Sequence, residues 1–372
     1  MTRHVDVDRH VIAAIGPGDD LGVVHIVVHL PEGVNVDAAL TAVASGSRFT
    51  ELSTRGFLVG LARRDGSVIA TCTAPAADIV CAAEQLDAGL ADLEAADAPD
   101  GGEPVSACRS VADLAHGRLV FSSAPTCGDR PARRVVVESR REVIVVAPRL
   151  SGSDRARIAA LGRDVPAPER RSVVGLTPTP TPLTCAAESA QALTVTHLLP
   201  PAPTTSMTNS VLVAAVAGFA GAALADRLGR QLGASYSVDA ALRFHGGRQL
   251  IQVSVGMREG GAELILDEVA AFFDDAPRRL SAPGLMDAAR GHVSGAFAVA
   301  ASTTPGLADA LLSFVVNGLP ADLAVGAPAA ASRVDADDVR RHAHSLSSRT
   351  WAAVLSGRGV ASPSTFDDSR TR

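Results

Sequence analysis

Several residue groups in the 372-residue chain have types and spacings that could do chemistry. Gly16-Pro17-Gly18, with Gly22 beyond it, has the look of a dinucleotide fingerprint. Its spacing is one residue too long, Asp19 and Asp20 would repel a pyrophosphate, and a strand follows where such a site needs a helix. The segment reads as a turn. His25 and His29 have the i, i+4 spacing of a zincin helix. Ile26, Val27 and Val28 between them are strand formers, however, and no glutamate is present to act as base. On a strand the two rings share one face about 13 Å apart, too far to hold one ion, and both are expected to be half-exposed. His4, Asp6, Asp8 and His10 could line one strand face, but metal ligands usually converge from different elements, so a polar edge is the simpler reading. His342 and His344, after Asp335, Asp337 and Asp338, read as a solvated helix. No serine has glycine at both the −2 and +2 positions, so there is no nucleophile elbow.

Composition removes further classes. The chain contains no lysine, so all 34 basic residues are arginine. A Schiff-base lysine for pyridoxal phosphate and a P-loop lysine are therefore absent. A net charge of −6 argues against a nucleic-acid partner, whose affinity rests on clustered positive charge. Cys72, Cys81, Cys108, Cys127 and Cys185 are odd in number and include no C-x-x-C pair, which points to reduced thiols. The N-terminus lacks the apolar run of a signal peptide. The longest apolar run, 211–225, is too short to span a bilayer, and Asp226 and Arg227 close it. The chain is expected to be cytoplasmic, with no membrane partner.

The elements that must position any site form a weak internal repeat. Val24, Ile26, Val28 and Leu30 alternate with His25, Val27 and His29, the period of a strand. A short alanine-rich helix follows at 36–45, then strands at 57–63 and 67–73 joined at Asp65-Gly66, a hairpin signal. A helix begins after Pro75, with Ile79, Ala82, Leu86 and Leu90 on one stripe. The second half repeats this order: a strand at 192–199, a long helix at 210–230, strands at 235–244 and 248–257 across Gly246-Gly247, and a helix at 262–273. The expected fold is α+β: two related domains, each an antiparallel sheet with helices packed on one face. Residues 1–163 form the first domain, 164–188 a proline-rich linker and 189–360 the second. The stretch 96–104 is a flexible segment within the first domain, and 361–372 are a disordered tail.

The sharpest signal is Leu224-Ala225-Asp226-Arg227-Leu228-Gly229-Arg230-Gln231-Leu232-Gly233-Ala234-Ser235-Tyr236-Ser237-Val238. It resembles the C-terminal domain of the pitrilysin, or insulinase, family of zinc peptidases, where a helix ending in Leu-Arg-Glu-x-Leu-Gly-Ala-x-Tyr-Ser leads into a strand. The resemblance extends through the hairpin and next helix to a late helix at 334–348 and a final strand at 351–355. It implies a half-clamshell whose first domain, 1–163, is a degenerate peptidase-like domain and whose second, 189–360, is its C-terminal counterpart.

Two departures shape what the resemblance implies. The family's zinc ligands and general base come from His-x-x-Glu-His on a first-domain helix. The helix at 36–45 offers Asp37, Ala38, Ala39, Leu40, Thr41, Ala42 and Val43, and the motif occurs nowhere in the chain. Catalytic and metal residues are therefore expected to be none, with zinc held by a partner chain. The second departure is at the family's substrate-gripping pair, an arginine seven residues before a tyrosine. Tyr236 matches the tyrosine, but Gly229 stands where the arginine should be. Arg230 and Arg227 are the candidates to take its place beside Tyr236 in substrate binding. The resemblance thus implies a non-catalytic, substrate-binding or structural subunit of a heterodimeric peptidase. Its partner would be a homologous chain with the zinc motif. Its substrate would be an extended peptide, including precursor or leader peptides of peptide natural products. The alternative is a non-enzymatic scaffold or peptide-binding protein of the same fold.

Overall fold

The computed structural model describes residues 5–8, 11–15, 20–30, 39, 43–44, 46–64, 67–92, 136, 138–162, 183–186, 191–200, 206–245, 248–257 and 260–357. The side chains of His4, Asp6, Asp8 and His10, the turn at 16–19, both hairpin tips, the stretch 96–104, most of the expected linker and the tail lie outside this set. So do Cys108 and Cys127.

The first compact unit opens with β1 (Val5–Asp8), β2 (Val11–Ile15) and β3 (Leu21–His29). α1 (Ser47–Thr54), β4 (Leu58–Arg64), β5 (Ser67–Pro75) and α2 (Ile79–Ala91) follow, then β6 (Arg140–Ala147) and α3 (Gly152–Ala159). A capping box between Ser151 and Asp154 starts α3, satisfying two backbone donors that a helix leaves open. The strand order is β1-β2-β6-β3-β5-β4. Val24, Ile26 and Val28 on β3 meet Val143 and Val145 of β6 and Ile79, Leu86 and Leu90 of α2 in one core. At Gly22 a Cβ would stand 2.7 Å from Ile79, so the absence of a side chain lets α2 lie close to β3. Cys72 is buried in this core, and burial pushes its thiol up to about 11.

The second unit contains β7 (Leu183–Ala186), β8 (Ala192–Leu198), α4 (Ser206–Val213) and α5 (Ala223–Ala225). β9 (Ser235–His245), β10 (Arg248–Met257), α6 (Ala262–Asp274), α7 (Ala276–Arg279) and α8 (Leu285–Ala300) come next. α9 (Thr304–Val316) and the first half of α10 (Asp322–Ser332) group with the first unit, and α11 (Ala336–Ala343) and β11 (Ala352–Gly357) complete the second. The sheet order is β7-β11-β8-β10-β9. Ile265, Val269, Phe272 and Phe273 form the buried stripe of α6.

The repeat is carried by topology. β6-β3-β5-β4 and β11-β8-β10-β9 are the same four antiparallel strands in the same chain order. Both hairpins close over two residues, with Arg64 opposite Ser67 and His245 opposite Arg248. The two four-strand antiparallel cores are as expected, and β2 and β7 each add a further strand parallel to the last strand of their unit, β6 and β11. β7 falls inside the segment expected to be linker.

Three further expectations are corrected. The long helix at 210–230 is interrupted. α4 passes into a π-helical turn at Ala214–Gly218, Phe219 and Ala222 are extended, and α5 runs on as a second π-helical turn at Asp226–Gln231. Gly218 and Gly221 flank Phe219, and glycine weakens a helix most among non-proline residues. Ser206–Gln231 spans 26 residues and is, by length and composition, apolar enough to cross a membrane, contrary to the expectation from 211–225. Of its most apolar window, 56% is buried inside the fold, as a core helix would be. Finally, Ala296–Ala327 belongs to the first compact unit although it follows the second-domain strands. Its helix α9 packs on β3 and β6, starting from a Thr303 cap that accepts from the Gly306 amide at 3.1 Å.

His197 on β8 is a core residue with an aromatic surround. Its ring lies 4.4 Å from that of Phe273 and 6.1 Å from that of Trp351. Neither ring nitrogen has a hydrogen-bond partner among the described residues. Burial drives its pKa down to about 3, with Asp274 opposing. The fold therefore holds the neutral ring. Above the unfolded pKa near 6.5 the proton contributes nothing to stability. Below it the unfolded chain binds a proton that the native state refuses, so stability falls with pH until about 3. The loss between pH 7 and pH 5 is about 2 kcal/mol. His197→Leu should remove that share of the acid slope in urea unfolding, and an unchanged slope would contradict the assignment. At Gly306 a Cβ would lie 2.0 Å from the Ala300 carbonyl oxygen, so Gly306→Ala should destabilise the protein by about 1–3 kcal/mol through overpacking, read in the same assay.

Candidate functional site

Tyr236 lies at the start of β9, the edge strand of the second sheet, and is 61% exposed. The β9–β10 ladder slips there: Gly256 faces Ser237 while Met257 faces Ser235, leaving Tyr236 as the extra residue of a bulge. A bulge re-aims the side chain it carries and places consecutive residues on one face. The phenol ring accordingly lies across the backbone of Gly256, where a Cβ would meet ring carbons at 2.5 and 2.9 Å. Its hydroxyl donates to the Gln191 carbonyl at 3.4 Å, an oxygen that also accepts from the Met257 amide at 3.0 Å. Tyr236 therefore reaches from β9 over β10 to the chain entering β8, and its hydroxyl is a weakly engaged donor on a solvent-facing ring.

The two arginines expected beside it point their charges elsewhere. Arg227 makes a two-pronged ion pair with Glu268 of α6 at 2.9 and 3.0 Å, and also donates to Gln231. The hydrogen bonds to Arg227 hold the Glu268 carboxyl below the usual carboxylate range, and those to Glu268 raise the guanidinium. Arg230 pairs with Asp226, one turn earlier. Arg227 thus anchors the π-helical turn to α6, and Arg230 is tied within it. At Gly229 the Cβ direction is open for 4 Å, so the seat of the family arginine is empty and unobstructed.

The donor set does not fit a zinc ion of the pitrilysin type. Of the helix expected at 36–45, Ala39, Val43 and Ala44 are described as helical, and Ala39 and Val43 are fully buried in the first core. Among the described residues no three His, Cys, Asp or Glu side chains converge on a common point. In the sequence 36–45 Asp37 is the one metal-ligating residue type, too few for the imidazole and carboxylate set with which a zinc site activates water.

His25 and His29 are not half-exposed as expected: both are buried. They project from the β3 face opposite α2. Thr71 Oγ1 lies 2.8 Å from His25 Nδ1, and Asp309 of α9 lies 3.6 Å from Nε2. Ser67 Oγ lies 3.3 Å from His29 Nδ1, and Glu142 lies 3.2 Å from Nε2. Each set has the residue types of a hydroxyl–imidazole–carboxylate triad. The usual roles of the ring nitrogens are reversed, however, and Ser67 is buried away from any substrate. These are internal polar contacts of the first unit. Their burial is readable in retrospect, because Val23 and Val27 share their face and nothing in 23–28 except His25 is polar.

His342 also departs from the solvated reading. It is partly buried, its Nδ1 lies 2.7 Å from the Asn209 side-chain oxygen, and burial together with Arg341 lowers its pKa. Asn209 in turn donates to Gln249 and to the Pro200 carbonyl, so this network ties α11 and α4 to the start of β10.

No family model and no curated protein matches the sequence. Solved structures do match the fold. An M16 peptidase inactive domain from Pseudomonas fluorescens aligns over 97% of this chain and 99% of its own, with a TM-score of 0.65 and 14% identity. Pitrilysin aligns with a TM-score of 0.66 and 12% identity over 97% of this chain and 45% of its own. A chain of complex III2 from Candida albicans aligns with a TM-score of 0.72 and 12% identity over 93% of this chain and 94% of its own. The paired four-strand cores, in one polypeptide about half the length of pitrilysin, give this chain the fold of the pitrilysin-type, or M16, peptidases, without their zinc motif.

Proposed function

We propose that this chain is the zinc-free, non-catalytic half of a heterodimeric pitrilysin-type peptidase of the cytoplasm. It would bind an extended peptide while a homologous partner chain holds zinc and hydrolyses it. The observation that carries the reading is Tyr236: a solvent-facing phenol on a bulge, inside the segment that resembles the family's substrate-gripping motif. A phenolic hydroxyl so placed can exchange its long bond to the Gln191 carbonyl for a peptide carbonyl. Such a contact contributes about 1.4 kcal/mol net, or about tenfold in affinity. The lack of a zinc donor set in the sequence 36–45 supports leaving the chemistry to a partner. Precursor or leader peptides of peptide natural products are the substrate class proposed.

A second reading, a scaffold without a working cavity, is favoured by Gly229, which leaves Tyr236 without its arginine, and by the fold shared with a chain of complex III2 from Candida albicans. Co-expression with a homologue bearing His-x-x-Glu-His, followed by peptide cleavage by each chain and by the mixture, separates the two. The account expects cleavage only by the mixture, with kcat/KM lowered about tenfold by Tyr236→Ala. Cleavage by the zinc chain alone at the mixture's rate would leave the scaffold reading.

A further inference from the structure

We propose that Gly256 is the positioning residue for Tyr236, and that the bulge, the glycine and the Gln191 carbonyl together form a seat holding the phenol flat on the end of the second sheet. The inference rests on the reading of Tyr236 as a peptide contact and adds the device that aims it. Three independent features converge on the ring. The register slip between Gly256 and Met257 makes Tyr236 the unpaired residue of β9. In a regular strand Tyr236 and Ser237 would point to opposite faces. Here a Cβ on Gly256 would meet both the tyrosine ring and Ser237 Oγ at 2.5 Å. The third feature is the carbonyl of Gln191, placed by its bond to the Met257 amide where the hydroxyl can reach it.

A cross-strand glycine under an aromatic ring removes the side chain that would lift the ring away. The ring then covers backbone that the glycine leaves bare. The conformational entropy of the exposed tyrosine is reduced before any peptide arrives, and pre-ordering of this kind strengthens binding. Gly256 is not at a positive-φ position, so a turn conformation does not account for it. The space it leaves is what the ring occupies.

Tyr236 is the sole tyrosine, so 3-fluorotyrosine incorporation gives one 19F resonance that reports the pose of this ring alone. The variants are Gly256→Ala, Tyr236→Ala and the double, each in complex with the zinc-bearing partner. The ligand probe is fluorescein-labelled β-casein, an unstructured chain, read by anisotropy with the zinc chelated. The proposal expects Gly256→Ala to shift the 19F resonance and weaken casein binding about tenfold, as Tyr236→Ala does. The double variant should be no weaker than either single, because both remove the same contact. An unmoved resonance in Gly256→Ala, or unchanged casein affinity where Tyr236→Ala weakens it, would overturn the positioning role. If Gly256→Ala lowers the unfolding midpoint, the double variant should restore it by removing the displaced ring, and no recovery would also count against the seat. Casein affinity unaffected by Tyr236→Ala would instead overturn the peptide-contact reading itself, and with it the proposal that rests on it.

Discussion

The first unit depends on covering both faces of one strand. From Gly22 to His29 every residue of β3 is buried, so a single helical layer cannot shield it. One face is closed by α2, which follows in sequence. The other is closed by α9, which the chain supplies only after the strands β7 to β10 of the second unit. A strand buried on both sides must present two apolar faces, and β3 does so with valine and isoleucine except at His25 and His29. Those two rings are accommodated because β5 and β6 supply Thr71, Ser67 and Glu142 at their nitrogens, since buried polar groups need partners. The first unit is therefore completed by residues from the far end of the chain, which cover the second face of β3.

The same repeat makes a divided function physically reasonable. Two sheets of one topology need one hydrophobic design each. The first unit keeps buried alanine and valine on the helix from which the resemblance would draw zinc ligands. The second keeps a tyrosine whose surroundings serve its pose more than its burial. Apolar side chains in place of buried charged groups are often neutral or stabilising for a core. An exposed aromatic on a bulge, by contrast, carries no comparable benefit to stability.

Much of this was legible in the sequence because it is local. The hairpins were marked by alternation on each side of Asp65-Gly66 and Gly246-Gly247, and α2 and α6 by apolar stripes at helical spacing. The segment 224–238 identified the fold and Tyr236 together. What escaped was non-local. The four-residue strand β7 is defined by a parallel partner, β11, at the far end of the described chain and carries too little pattern to be read alone. The docking of α9 on β3 follows from the demand of a distant strand. The break near Phe219 was hidden by alanines that favour a helix on both sides of it. The bulge at Tyr236 was invisible because it exists only in the register between two strands, although Gly256, the one glycine of β10, was its trace.

The central claim is that Tyr236 touches peptide when the chain is paired with a zinc-bearing homologue. A photoreactive benzoylphenylalanine placed at position 236 tests this most directly, with unlabelled β-casein as ligand and the zinc chelated. The account predicts casein cross-linked to this chain in the paired complex, and little from the same group placed at exposed Leu264. Equal cross-linking from both positions, or none from 236 while the complex still degrades casein once zinc is restored, would contradict it.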